Sequence, residues 1–213
     1  MDREEVGADE VPAIAGTAEL ATELRDYPVQ AGIVRQEEYN RWLPLVKWLL
    51  AIPHYFVLAF LGIGAAVVLI IAFFAVLFTG SWPRGMFDYV VGVQRWVFRV
   101  NAYVLLMVDE YPPFGLDDDP DHPARLWISY PEEGVDNWRP LVHWLLIFPY
   151  AIVAGALVFA AGFAVIASFF TILFTKSYPR GLFDFTEIAL RWQVRATAYH
   201  YFMVTRYPPF AWG

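Results

Sequence analysis

The octapeptide Ser81-Trp82-Pro83-Arg84-Gly85-Met86-Phe87-Asp88 returns 96 residues later as Ser177-Tyr178-Pro179-Arg180-Gly181-Leu182-Phe183-Asp184. Held at that offset without a gap from Trp42 to Phe114, the two halves are identical at 34 of 73 positions. Shared hydrophobicity alone does not produce so many identities. A tandem duplication constrains this chain more than any other feature, because each copy must be built the same way and neither need bury its apolar surface alone.

Within each copy the first long element is an apolar run, His54 to Phe78 and Tyr150 to Phe174, with no acid or strong base. About 20 such residues suffice to cross a hydrocarbon core of about 30 Å. The whole chain is 58% hydrophobic and 17% charged, against roughly 25% charged in an ordinary soluble domain, so it reads as a membrane protein. Its net charge of −7 is concentrated in residues 1–26, where eight acids face two arginines. That segment reads as an acidic solvated tail, with a transient helical turn over Ala18 to Arg25, and it carries no cleavable secretory signal. A near-neutral body without clustered Lys and Arg lacks the footprint of a nucleic-acid binder.

Pro28 to Arg35 and Pro123 to Tyr130 are extended in character, most clearly where Leu126, Ile128 and Tyr130 alternate with Arg125, Trp127 and Ser129. A lone strand leaves its backbone unpaired, so the two strands are expected to pair with each other outside the bilayer. Each leads into a short segment bounded by prolines, Trp42 to Pro53 and Trp138 to Pro149. Trp42, Trp48, Trp138 and Trp144 with Lys47 or His143 suit an interfacial helix there. Gly62, Gly64, Gly155 and Gly162 are small enough to let helices approach closely, or are ordinary lipid-facing glycines.

After the repeated octapeptide, Met86 to Val108 and Leu182 to Val204 are again long enough to span, but carry Arg95, Arg99, Arg191 and Arg195. At helical spacing Asp88, Gly92, Arg95, Arg99 and Ala102 share one face, and Asp184, Glu187, Arg191, Arg195 and Ala198 repeat it. Charge at mid-membrane costs at least about 2.5–3.5 kcal/mol unless paired or hydrated. These stripes therefore face inward or toward headgroups, on helices expected to span, the alternative being helices that lie in the interface. Facing inward, they either line a hydrated cavity between the copies or form a locking network with Asp88, Asp184 and Glu187. Arg84 and Arg180, near helix starts with Asp88 and Asp184 four residues on, are candidates for an anion or lipid-headgroup site. The alternative is an arginine paired with its own helix's aspartate.

The expected fold is an all-α membrane protein: four transmembrane helices in a tandem parallel repeat about an axis along the membrane normal, with interfacial helices and short extramembrane strands. Its units are a tail (1–26), a first repeat (27–116), an acidic linker (117–122) and a second repeat (123–213). Flanking basic residues place the termini on the cytoplasmic side of a multi-pass cell-membrane protein. Tyr111-Pro-Pro-Phe114 and Tyr207-Pro-Pro-Phe210 close the copies. With no cysteine, and with His54, His122, His143 and His200 at no ligand spacing, nothing suggests a metal, a cofactor or a nucleophile.

Leu49-Leu-Ala-Ile-Pro-His54, Leu77-Phe-Thr-Gly-Ser-Trp-Pro-Arg-Gly-Met-Phe-Asp88, Arg95-Trp96, Asn101-Ala-Tyr103 and Tyr111-Pro-Pro-Phe114 together resemble the DUF4389 family of uncharacterised prokaryotic membrane proteins, twice over, across about residues 27–213. That resemblance implies a membrane fold and no activity. The expected function is a non-enzymatic membrane accessory or scaffold protein whose partners are lipids and a membrane protein or a second copy. The alternative is a small transporter or channel with an arginine-lined pathway between the repeats.

Overall fold

In chain order the elements are α1 (Thr22–Arg25), β1 (Val29–Ile33), α2 (Leu43–Leu50), α3 (Ile52–Thr79), α4 (Arg84–Val104), β2 (Ala124–Ile128), α5 (Arg139–Leu146), α6 (Phe148–Thr175) and α7 (Arg180–His200). They come from a computed structural model that describes residues 22–212. The acidic tail therefore lies outside the described residues, apart from its last few. Each apolar run forms one 28-residue helix, α3 or α6, about 42 Å long at 1.5 Å per residue. Pro53 and Pro149 fall in the first turn of these helices, where no intrahelical N–H is needed. They set off the short helices α2 and α5 by one residue each.

The arginine-bearing helices stop at Val104 and His200, earlier than their apolar character suggests. Leu106 and Phe202 adopt left-handed backbone, φ 65° and 47°. Met107 and Met203 then turn their N–H groups back to the carbonyls of Ala102 and Ala198, which closes each helix.

β1 and β2 pair antiparallel, Val29 with Ile128 through Ile33 with Ala124, so the sheet joins the two copies as expected. Ala31 opposes Leu126, and an approximate two-fold axis passes between them. The strands align at an offset of 95 rather than 96, with Ala31 equivalent to Leu126 and Ile33 to Ile128. Each strand packs on the other copy's helix: β2 on α4 and β1 on α7. Further exchange reinforces this, with Trp82 Nε1 donating to Phe202 O at 3.0 Å and Arg35 Nη2 to Tyr178 O at 2.8 Å. Separating the copies would uncover the strand-facing sides of α4 and α7.

The exchange sets directions. Asn137 Nδ2 donates to Leu77 O and Val135 N to Gly80 O, so the end of α3 meets the approach to α5. Tyr39 N donates to Lys176 O, so the end of α6 meets the approach to α2. α3 and α6 consequently run in opposite directions, and the two-fold axis is perpendicular to them. Three layers result, with the sheet on one face of α4 and α7 and the long helices α3 and α6 on the other. Among the described residues, two helices are long and apolar enough to cross a membrane: α3, with α2 leading into it, and α6. α4 and α7 are not among them. Of the glycines expected to permit close approach, only Gly64 meets a neighbour, the Tyr89 ring; Gly62, Gly155 and Gly162 have nothing within 4 Å.

The arginine faces beneath the sheet as a candidate functional site

On α4, Phe87, Val91, Arg95 and Arg99 recur every four residues, and this face is turned toward β2 and the linker that precedes it. Arg95 Nε donates to Leu126 O at 3.1 Å and its guanidinium lies 5.5 Å from the centre of the Trp127 ring. Arg99 Nη2 donates to Gly115 O at 2.8 Å and Asp117 O at 3.2 Å. On α7, Arg191 Nε donates to Ala31 O at 2.8 Å, and its Nη2 meets Glu187 Oε1 at 2.7 Å. Glu187 Oε1 also accepts the Ile33 N–H at 2.9 Å. Arg195 is 1% exposed; its Nε and Nη1 have no hydrogen-bond partner and no carboxylate is paired with it among the described residues.

The stripes thus face the strands, and backbone carbonyls supply most of their partners. Of the acids expected in a locking network, Glu187 takes part, while Asp88 and Asp184 are exposed and form no ion pair among the described residues. Arg84 does not pair with its own helix's Asp88. It reaches Glu132 at 2.6 Å and stacks 4.5 Å from the Tyr130 ring centre, because strand exchange carries the exit of β2 over the start of α4. In the other copy Arg180 is exposed, with no ion pair among the described residues.

Between the N-terminal half of α4 and β2 lies an open cleft of about 810 Å³. Arg84, Asp88, Val91, Arg95, Trp127 and Glu132 contribute to its lining. It brings Arg84, assigned from sequence to a headgroup site, together with Asp88 and Arg95 of the polar stripe. It also adds Trp127 from β2 and Ser129, Tyr130 and Glu132 from its exit, which the sequence marks as strand and turn residues but not as part of a site. The available signal was positional: Val91 stands where the other copy has Glu187. Among the described residues no group of three His, Cys, Asp or Glu is placed to hold a metal ion.

Lys47 and His143, expected at headgroup level with the tryptophans of α2 and α5, are instead buried. Lys47, 1% exposed, bonds Val108 O at 2.6 Å and Asp109 Oδ1 at 2.8 Å. Its counterpart His143 stacks on Tyr199 with ring centres 4.0 Å apart and places Nδ1 2.8 Å from Tyr199 O.

Residues 42–115 and 137–211 each match the family described as "Domain of unknown function (DUF4389)". The chain belongs to the DUF4389 family. Both DUF4389 units begin beyond the strand that precedes them, so β1 and β2 lie outside the matched residues. The cleft accordingly combines a helix inside the first matched unit with a strand outside either. No curated protein and no solved structure matches the chain.

Proposed function

We propose that this DUF4389 protein is a non-enzymatic membrane scaffold seated in one leaflet, offering its sheet face to lipid headgroups and to partner proteins. The observation that carries this reading is the segregation of surface chemistry between the outer layers. Phe56, Phe60, Ile63, Ile70, Phe74 and Phe78 stand exposed along α3, and Phe159, Phe163, Ile166, Phe170 and Phe174 along α6. Trp42 and Trp48 on or beside α2, and Trp138 and Trp144 on or beside α5, are exposed as well. Soluble monomers rarely expose contiguous apolar patches beyond a few hundred Å². On the sheet side, Asp117, Asp118, Asp119 and Arg125 gather beside β2.

Seating follows from the chain path. The linker and β2 run back along α4 from Leu116 beside Gly92 to Tyr130 beside Phe87. If α3 crossed the bilayer, α4, the linker and the sheet packed along it would share its depth. Carboxylates and unpaired sheet edges would then sit in hydrocarbon, where neither is tolerated. With α3 and α6 lying in the plane of the membrane, the apolar face is immersed, the tryptophans reach the interface and the charged layer stays in water. The two-fold axis then lies along the membrane normal and both copies share one orientation. In this reading four crossings are replaced by two submerged helices with α4 and α7 above them, and the flanking basic residues favour the cytoplasmic leaflet.

The cavities between α4 and α7, about 280 and 210 Å³, are lined where they are polar by Gln94, Asn101, Thr186, Gln193, Thr197 and Tyr201. Neutral amides and hydroxyls there favour the scaffold over an arginine-lined pathway. The test is flotation of the purified chain with phosphatidylcholine vesicles, comparing wild type with the double variant Phe60→Asp, Phe163→Asp. Wild type is expected to float and to resist alkaline extraction, with recovery falling at least several-fold for the variant. A chain that stays at the bottom of the gradient would overturn the proposal.

A further inference from the structure

The two copies hold the same polar arrangement with one component exchanged. In the second copy, Arg191 donates through Nε to the β1 carbonyl of Ala31, and the Glu187 carboxylate is held by Arg191 Nη2 at 2.7 Å and the Ile33 N–H at 2.9 Å. In the first copy, Arg95 donates through Nε to Leu126 O, the two-fold counterpart of Ala31 O. Ile128, the counterpart of Ile33, lines the cleft beside it. Only the carboxylate is missing, because Val91 occupies the position of Glu187. Among the described residues no carboxylate pairs with Arg95, and the place where one would sit opens into the cleft of about 810 Å³.

We propose that this cleft binds a singly charged oxyanion, a carboxylate or a phosphodiester, between Arg95 and the Ile128 N–H, and that Glu187 is its built-in counterpart in the second copy. This site stands on the comparison of the copies and does not depend on how the protein is seated in a membrane. Trp127 stacks on the arginine and the exposed mouth of the cleft carries Tyr130 and Ser129, which suits an anion attached to a larger molecule. Arg84, the other cation in the cleft, is held by Glu132 at 2.6 Å. Asp88 and Glu132 at the rim repel a second negative charge, so a monoanion is preferred to inorganic phosphate, which carries about −1.5 to −2 at neutral pH by analogy with a phosphate monoester.

The test is calorimetric titration of the full chain in neutral detergent with two probes, octanoate and dihexanoyl phosphatidylglycerol, and with inorganic phosphate for comparison. Binding of octanoate alone assigns the site to free or fatty carboxylates. Binding of the phosphatidylglycerol alone assigns it to lipid phosphodiesters, and binding of both to monoanions generally. Val91→Glu, which gives Arg95 the same i, i−4 partner that Arg191 has, is expected to weaken binding at least tenfold while leaving Tm equal or higher. Should that variant fold poorly, Arg95→Gln serves, since it keeps a donor for Leu126 O and removes the charge; the same loss of binding is expected. Absence of binding by wild type, or wild-type affinity in either folded variant, would overturn the proposal.

Discussion

The clearest evidence that the copies have been adjusted residue by residue lies where Lys47 meets its counterpart His143. Lys47 is held by Asp109, and the position equivalent to Asp109 in the second copy is Thr205. An ammonium buried at 143 would have no counter-charge, so the copy that lost the acid carries a neutral imidazole instead. His143 Nδ1 donates to Tyr199 O, while Nε2 is buried without a partner. Protonating the ring would place a charge there with nothing to receive its second N–H, and burial pushes its pKa down from 6.5 to about 4. The native state then binds fewer protons than the unfolded chain between these values. Stability from this group is fully present above pH about 6.5 and is lost as pH falls toward 4, by up to about 3 kcal/mol. His122, also buried and shifted down by desolvation, acts in the same direction. Chemical unfolding in detergent at pH 7.5 and pH 4.5 is expected to show this loss, and His143→Gln, whose amide can still donate to Tyr199 O, to flatten it. An unchanged pH slope in that variant would remove His143 from the account. The difference between 47 and 143 was readable in the sequence, but its cause was not, because Asp109 lies 62 residues from Lys47 and their contact is tertiary.

At the scale of elements, α4 and α7 share an aspartate and two arginines on their polar faces but differ at Val91 and Glu187 and in what covers them. The stripe of Asp88, Gly92, Arg95 and Arg99 was legible from spacing, as were the strands and the apolar runs. What covers the stripe was not, since sequence periodicity says which face is polar and not which distant segment meets it. Gly92 decides the matter locally. A Cβ there would stand 2.7 Å from Leu116 Cβ and 2.9 Å from Leu116 O, so the linker can cross α4 only because no side chain is present. The second copy has Ile188 at this position. Gly92→Ala removes a helix-interior glycine, worth about 1 kcal/mol in favour of the helix, yet forces the linker outward at a cost of about 1–3 kcal/mol. Because the obstacle includes backbone, overpacking is expected to win. The variant should lose about 1 kcal/mol net and exchange the amide protons of residues 115–118 and of β2 faster, whereas Gly62→Ala, with open space around it, should be neutral or mildly stabilising. A Gly92→Ala protein as stable as wild type would mean that the linker can move aside freely.

At the scale of the whole molecule, the duplication, the DUF4389 membership and the apolar helices were legible from the chain, but the directions of the copies were not. Four equal spans follow from taking each helix by itself; the opposed course of α3 and α6 follows only from strand exchange, which ties Tyr39 to Lys176 and Val135 to Gly80. The two seatings differ in a way that can be read chemically, and the absence of native cysteine makes the reading clean. Single substitutions Ser81→Cys, Ser177→Cys and Asp121→Cys place one thiol at each helix turn and one in the linker. In sealed vesicles of known orientation, an impermeant maleimide separates three arrangements. Four parallel spans put positions 81 and 177 on one side and 121 on the other. Spanning helices with the opposed directions described here would divide 81 from 177. Immersion in a single leaflet leaves all three on the same side, because both turns and the linker belong to the aqueous edge of a structure that never reaches the far headgroups. The expected result is therefore equal labelling of the three positions from one side and none from the other. Protection of 81 or 177 under conditions where 121 reacts would require at least one apolar helix to cross, and would mean that the sheet detaches from α4 or α7 in the bilayer.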